Sequence, residues 1–295
     1  MMLKTAVFLS VFAVASLFFF AEARQTKLNV SKIEYSISDG TSLTGWVSVP
    51  EGAKKLPGVI LIHGGASLSD KDEKYGPKHL LEMDEVAESI GQKYAVFSVE
   101  YASKYFGDAR EFESIIAAYK KFIKEPYVDP ERIAFVGISH GGFLALLSAL
   151  DPGHGLKSKA VVDISGVTDL AMHVRHYENW MKKDKDMKKY DAYGVSGVKN
   201  ALGWPPESDL RAKENFSKRS ALTYMKDAKV PVLVIHGTKD RFVPFEHAAA
   251  LVSEARKHNK PLELVEIKGL MGGHFLIASK DEVWERASAF LGKNL

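Results

Sequence analysis

Three glycines crowded around one serine restrict this chain more than any other stretch. Gly137-Ile138-Ser139-His140-Gly141-Gly142 directly follows an apolar run at 133–136 and precedes helix-spaced apolar residues from Phe143 to Leu150. A serine on so tight a strand-to-helix turn needs small neighbours, because the backbone is strained and the helix must pack close to the strand. Ser139 is therefore the first candidate for a nucleophile.

The rest of the chain reads as a frame for that turn. Segments 33–37 and 43–49 form a hairpin pattern around Asp39-Gly40, a strong turn signal. Runs at 59–62, 95–99, 133–136, 160–164, 232–235 and 262–267 are apolar on both faces, which suits a parallel sheet covered by helices. Helical spacing appears at 80–90, 112–123, 143–150, 247–257 and 283–291, the last announced by a capping box from Ser279 to Glu282. The expected class is α/β: a mostly parallel sheet with helices on both faces. Residues from about 168 to 219 break the rhythm, being lysine-rich and aromatic without a clear strand, and read as a lid inserted over the strand ends.

Three further segments bear on the chemistry. His63-Gly64-Gly65-Ala66 follows the strand at 59–62, where an oxyanion needs two backbone N–H donors and glycine permits close approach. The expected donors are His140 and Gly65, with Ala66 competing for the second, and the His63 side chain is expected to brace the loop. Asp240, beyond the strand at 232–235, can orient a histidine on the next loop, and Asp163 and Asp169 are its rivals. His274, in a glycine-rich loop after the strand at 262–267, completes a Ser, Asp, His order, and imidazole is the side chain suited to taking and returning a proton near neutral pH.

Charge and cysteine content exclude other chemistries. Forty basic residues against 37 acidic ones give a net charge of +3, too weak a field for nucleic acid. The chain has no cysteine, which removes disulfides, thiol nucleophiles and thiolate metal sites. No cofactor or metal is required. His173-x-x-His176 could offer two imidazoles to a metal, but without a third ligand in sequence reach it is expected to be an exposed lid helix. The five lysines and two aspartates of 182–189 are expected to be solvated lid surface, and Trp180, Trp204 and Phe216 either line an acyl pocket or pack the insertion onto the sheet. At the N-terminus, Lys4, the weakly polar-to-apolar run 6–20 and Ala21-Glu22-Ala23 have the form of a secretory signal peptide, residues 1–23. The run is shorter than the roughly 20 residues of a membrane-spanning helix. The mature domain, 24–295, is expected to be secreted or periplasmic with no stable membrane anchor.

With these residues in place, the chain resembles the catalytic domain of the prolyl oligopeptidase family of serine hydrolases and is similar to dienelactone hydrolase-like proteins of the α/β-hydrolase fold. The resemblance rests on Val128-Asp129-Pro130-Glu131-Arg132-Ile133, on the glycine-rich serine turn, and on Val230-Pro231-Val232-Leu233-Val234-Ile235-His236-Gly237 leading to Asp240. It departs in three places. About ten residues separate Ala23 from the first strand, too few for the β-propeller of full-length prolyl oligopeptidases. Ser139 stands where dienelactone hydrolases carry cysteine, and His140 where the peptidases often carry tyrosine. The first expectation is therefore hydrolysis of small carboxylic esters through an acyl-enzyme, the alternatives being cleavage of short peptides or a non-catalytic binding module.

Overall fold

The computed structural model describes residues 26–65, 76–269, 273–275 and 277–295. The strands are β1 (Leu28–Ser36), β2 (Ser42–Pro50), β3 (Leu56–Ile62), β4 (Ala95–Val99), β5 (Val128–Ile138), β6 (Ala160–Ile164), β7 (Val232–Gly237) and β8 (Leu262–Ile267). Among the described residues they form one sheet in the order β1-β2-β4-β3-β5-β6-β7-β8. The hairpin expected around Asp39-Gly40 is β1 with β2, antiparallel from Leu28 opposite Pro50 to Ser36 opposite Ser42. β2 also runs antiparallel to β4, and all other neighbours are parallel.

Alternation along the strands divides the apolar residues between two cores. Ile60, Ile62, Phe97 and Phe135 face one, while Val59, Leu61, Val96 and Val136 face the other. The second core is covered by α1 (Pro77–Glu82), the single turn α2 (Asp84–Val86) and α10 (Asp281–Asn294), through Leu80, Leu81, Val86, Trp284 and Phe290. The first is covered by α3 (Ala109–Phe122), α4 (His140–Leu150) and α9 (Glu246–Lys257), with the helices between β6 and β7. In α4, Phe143, Leu144, Leu146 and Leu147 are fully buried. Each such side chain stabilises the fold by ~1.5–3 kcal/mol, so the helix that starts beside Ser139 is firmly anchored.

Three helix expectations need correction. The single helix expected at 80–90 is broken at Met83, whose backbone is extended, and continues as α2 and a π-helical turn, Ala87–Gly91. Leu80 and Leu81 are buried, but the positions that follow them on that face are Asp84 and Glu88; the break resets the phase so that Val86 and Ile90 reach the core. At the C-terminal helix the N-cap is Lys280, one residue beyond the expected capping box, and its side chain makes no capping hydrogen bond. α4 begins three residues earlier than its apolar spacing suggests, because Gly141 and Gly142 are already helical.

The irregular stretch between β6 and β7 is helical: α5 (Leu170–Lys183), α6 (Gly197–Leu202), α7 (Leu210–Ser217) and α8 (Ala221–Met225). Its ends meet at a bridge between Asp169 and Ser220, where the Ala221 N–H also donates to the Thr168 carbonyl at 2.9 Å. Leu170, Val174, Val198 and Phe216 carry it into the first core. Among the described residues no helix is long and apolar enough to cross a membrane. The expected signal segment, 1–23, lies outside the described residues.

Candidate active site

β5 ends at Ile138, and Ser139 stands at φ +56°, ψ −116° before α4 begins. A non-glycine residue in that region carries strain of about 1–3 kcal/mol, held here by packing on both sides. A methyl on Gly137 would collide with the Gly141 carbonyl, and one on Gly141 with that of Ile62, so neither position admits a side chain. The Ser139 N–H donates to the Ile164 carbonyl at 2.8 Å, which fixes the turn to β6.

The three residues expected to act together meet. Ser139 Oγ lies 2.8 Å from His274 Nε2, and His274 Nδ1 lies 2.7 Å from Asp240 Oδ2. The Asp240 carboxylate is fully buried, and its Oδ1 accepts the Phe242 and Val243 N–H groups, each at 2.9 Å. Those two donors orient the carboxylate and leave Oδ2 for the imidazole. His236, also buried, donates from Nε2 to the Val243 carbonyl at 2.8 Å, and burial keeps its pKa below the usual histidine range. Neither rival carboxylate bonds to His274 among the described residues. Asp169 caps α5 through the Met172 N–H. Asp163 lies enclosed between Gly142 and Gly166, where burial outweighs the nearby Gly166 N–H and pushes its pKa up to about 7.

The loop after β3 lies against the serine: a methyl on Gly64 would be 3.1 Å from Ser139 Cβ. Gly65 has φ +79°, a conformation that favours glycine. Its carbonyl accepts from the Tyr101 hydroxyl at 2.5 Å and lies 3.2 Å from His140 Nδ1. Burial, with Glu111 and Glu100 nearby, pushes the Tyr101 phenol far up, so it stays a hydroxyl and donates. His140 Nε2 lies 3.1 Å from Oε1 of the fully buried Glu111, and the ring stacks on Phe106 with centroids 3.9 Å apart. His63 is buried, stacked on Tyr101 with centroids 4.7 Å apart, and its Nδ1 is 2.9 Å from the Gly64 carbonyl. Ala66, the competing donor, lies outside the described residues.

Sequence reasoning missed the residues that surround this line. Tyr101 and Glu111 come from separate segments with no shared motif, although a glutamate on the buried face of an amphipathic helix is itself a signal. Phe242 and Phe275 flank His274, with centroids at 5.5 and 5.6 Å. The His173–His176 pair is not on an exposed helix face, as the sequence suggested. His173 is buried against Phe106 and Tyr177, and His176 is half-buried with Nε2 2.8 Å from the Arg241 carbonyl. α5 turns that face into the first core because Leu170, Val174 and Tyr177 share it. Trp204 and Phe216 pack on each other, centroids 5.5 Å apart, whereas Trp180 reaches Phe242 at 5.2 Å.

Known proteins place this architecture in a family. The BD-FAE family model matches residues 47–255. Among curated relatives, the uncharacterized peptidase YuxL of Bacillus subtilis is 26% identical over 252 residues, covering 79% of this chain and 34% of YuxL. The uncharacterized peptidase YtmA of the same organism is 23% identical, covering 77% of this chain and 80% of YtmA. The chain thus spans about a third of the length of YuxL but most of the length of YtmA. Pyrococcus horikoshii acylaminoacyl peptidase superposes with a TM-score of 0.67 at 20% identity, over 92% of this chain and 42% of that one, and shares the fold. With a mostly parallel sheet, a serine on its strand-to-helix turn and a match over most of its length, the chain belongs to the BD-FAE family of α/β-hydrolase-fold serine hydrolases, whose relatives include both peptidases and esterases.

Proposed function

We propose that this catalytic domain cleaves short peptides through an acyl-enzyme, with Ser139 as nucleophile, His274 as general base and then acid, and Asp240 as the group that orients His274. The observation that carries the reading is the unbroken line from Ser139 Oγ to His274 Nε2 at 2.8 Å and from Nδ1 to Asp240 Oδ2 at 2.7 Å. His274 takes the Oγ proton as Ser139 attacks the scissile carbonyl. The same imidazole returns that proton to the departing amine, and water then releases the acyl group by the reverse sequence. The oxyanion is received by the N–H groups of His140, at the start of α4, and of Gly65, with Ala66 as the competing second donor. The sequence favours esters first. YtmA supports peptides, because a relative named as a peptidase and matched over most of its own length does not owe that name to a large extra domain.

Ester cleavage is the second reading, favoured by the match to the BD-FAE family. It uses the same acylation and needs no protonation of a poor leaving group. A fluorophosphonate probe followed by matched peptide and ester panels tests both. Labelling is expected in the native chain and absent in Ser139→Ala. Full labelling of the variant would place the nucleophile elsewhere, and labelling with turnover of esters alone would leave the ester reading.

The enzyme is placed outside the cytoplasm on the signal-like run at 6–20 and the Ala21-Glu22-Ala23 site. N-terminal sequencing of chain from its native source is expected to begin at Arg24. Met1 at the start of the mature chain in a membrane fraction would overturn that placement.

A further inference from the structure

A carboxylate that orients an imidazole works only when its own oxygens are fixed, so whatever fixes Asp240 belongs to the geometry of the site. Asp240 Oδ1 accepts the Phe242 and Val243 N–H groups at 2.9 Å, which leaves Oδ2 for His274 Nδ1 at 2.7 Å. Both donors lie in the turn after β7, and a turn holds its amides in place only when it is itself anchored. The anchor grips the same residue from its other end. The Val243 carbonyl accepts from His236 Nε2 at 2.8 Å. Val243 is thus held at both of its polar atoms, by Asp240 at the nitrogen and by His236 at the oxygen.

His236 belongs to the rigid part of this arrangement. It lies in β7, opposite Glu266 of β8, and strand alternation puts it on the face of Val232 and Val234, which belong to the first core. The imidazole is fully buried, with the Phe245 ring edge-on at 5.9 Å. Burial holds its pKa below the usual histidine range, so the ring is neutral near pH 7 and carries one proton. That proton stands on Nε2, because the carbonyl it faces can only accept. Nε2 is 3.9 Å from Asp240 Oδ2, beyond hydrogen-bond reach, and so does not compete with His274 for that oxygen. Nδ1 has no hydrogen-bond partner among the described residues. A buried imidazole with one unpaired nitrogen is less favourable in a core than the valines that share its face, and what it supplies there is the bond to Val243.

We propose that His236 is a positioning residue for this site: it anchors the turn from Asp240 to Val243 onto the sheet, and through that turn it sets the Asp240 carboxylate on His274. The inference rests on the acyl-enzyme reading above, and it holds for peptides and esters alike because both use the same imidazole. A line of hydrogen bonds of 2.7 to 2.9 Å runs from His236 through Val243, Asp240 and His274 to Ser139. Without the Nε2 donor, the carbonyl of Val243, a residue only 2% exposed, is left buried and unpaired. It regains a partner only by turning toward water or another donor, and the N–H of the same residue turns with it. Asp240 Oδ1 then loses the alignment of one of its two donors. The loss is felt in the transition state, where His274 becomes an imidazolium and depends most on Oδ2, and hardly at all in substrate binding.

The experiment compares His236→Met with His236→Gln, two side chains of nearly equal length of which only glutamine carries an N–H able to donate to the Val243 carbonyl. Both are measured beside the native chain on a p-nitrophenyl ester and a dipeptide p-nitroanilide, with rates normalised to sites titrated to completion by fluorophosphonate, so that only folded molecules count. On whichever substrate the native chain turns over, His236→Met should lower kcat roughly 10- to 100-fold with KM within about two-fold, and His236→Gln should stay within about three-fold of native. In Asp240→Asn, where the orienting carboxylate is already gone, adding His236→Met should slow the rate of fluorophosphonate labelling by less than about two-fold. Should His236→Met yield no titratable protein, His236→Phe, which keeps a ring without the donor, takes its place. An equal loss in the methionine and glutamine variants would assign the effect to packing of the ring and overturn the proposal. So would a rise in KM alone, a native kcat in His236→Met, or a full further loss in the Asp240→Asn background. A native chain that fluorophosphonate does not label would overturn the acyl-enzyme reading and the role of His236 with it, whereas the variant results bear on His236 alone.

Discussion

His140 Nδ1 lies 3.2 Å from the carbonyl oxygen of Gly65, so the residue after the nucleophile holds, through its side chain, the loop that faces it across the site. Tyr101 holds the same carbonyl from its hydroxyl, and Glu111 stands 3.1 Å behind the imidazole. One side chain thus links the two backbone segments proposed as oxyanion donors.

His140→Ala keeps its own backbone N–H but frees the Gly65 carbonyl. The variant is expected to lose roughly 10-fold in kcat with little change in KM, because a misplaced donor costs more at the oxyanion than in the ground state. It should also be less stable, since Glu111 is left buried with one partner fewer. Steady-state kinetics normalised to titrated sites separate the two effects. An unchanged kcat would mean that Tyr101 alone holds the loop.

The Ser139, Asp240 and His274 constellation was legible because each residue sits at a strand end beside glycine or turn-forming residues, where local pattern and chemistry coincide. The sheet was legible for the same reason, since runs buried on both faces can be read without knowing their neighbours. What supports the site was not. The Glu111, His140 and Tyr101 brace draws on α3, α4 and the segment after β4, and the ring contacts of Trp180, Phe242 and Phe275 on α5 and two loops, contacts that only tertiary packing creates. The break at Met83 failed for a related reason: the helix must change phase to meet α10, a neighbour about 200 residues away.

Asp240→Asn is expected to lower kcat/KM by about 10⁴ with the fold intact. The Phe242 and Val243 N–H groups both donate to Oδ1, which pins the amide oxygen of the variant there and turns its NH₂ toward His274 Nδ1. The imidazole is then driven into the tautomer with a proton on Nε2, and it can no longer accept the Ser139 proton. Activity near that of the native chain would transfer the orienting role to another carboxylate.

Acid should weaken the fold through buried imidazoles. His247 is held down to about 3, chiefly by burial and then by neighbouring histidines, and its Nδ1 accepts the Thr168 N–H at 3.2 Å, which a protonated ring could not do. Its folded pKa lies below the ordinary ~6.5, so the unfolded chain binds the proton first. The stability that neutral His247 contributes is complete above about pH 6.5 and declines as pH falls toward 3, by ~1.4 kcal/mol for each pH unit below the ordinary value. Urea midpoints between pH 7.5 and 4.5 should fall accordingly, and His247→Asn, which keeps an acceptor for Thr168, should flatten the slope. An unchanged slope would assign the acid sensitivity to other groups.

Asp163 predicts the opposite dependence. Its carboxyl lies fully buried against Gly142 and Gly166, and burial raises its pKa to about 7. A carboxyl whose folded pKa exceeds its unfolded value keeps its proton in the native state after the unfolded chain has released it. Its cost therefore grows by ~1.4 kcal/mol for each pH step of one between about 4 and about 7, and stays constant above that. Asp163→Asn removes the charge at almost no change in volume, so it should raise Tm at pH 8 and leave it unchanged or slightly lower at pH 4.5, where the native carboxyl is already neutral. The same variant separates Asp163 from Asp240 in function: it should keep fluorophosphonate labelling and turnover within a few-fold, since Asp163 makes no hydrogen bond to His274 among the described residues. A variant less stable than the native chain at pH 8 would show that the ionised carboxylate is held there by donors stronger than the Gly166 N–H, and a variant as impaired as Asp240→Asn would return Asp163 to the catalytic line.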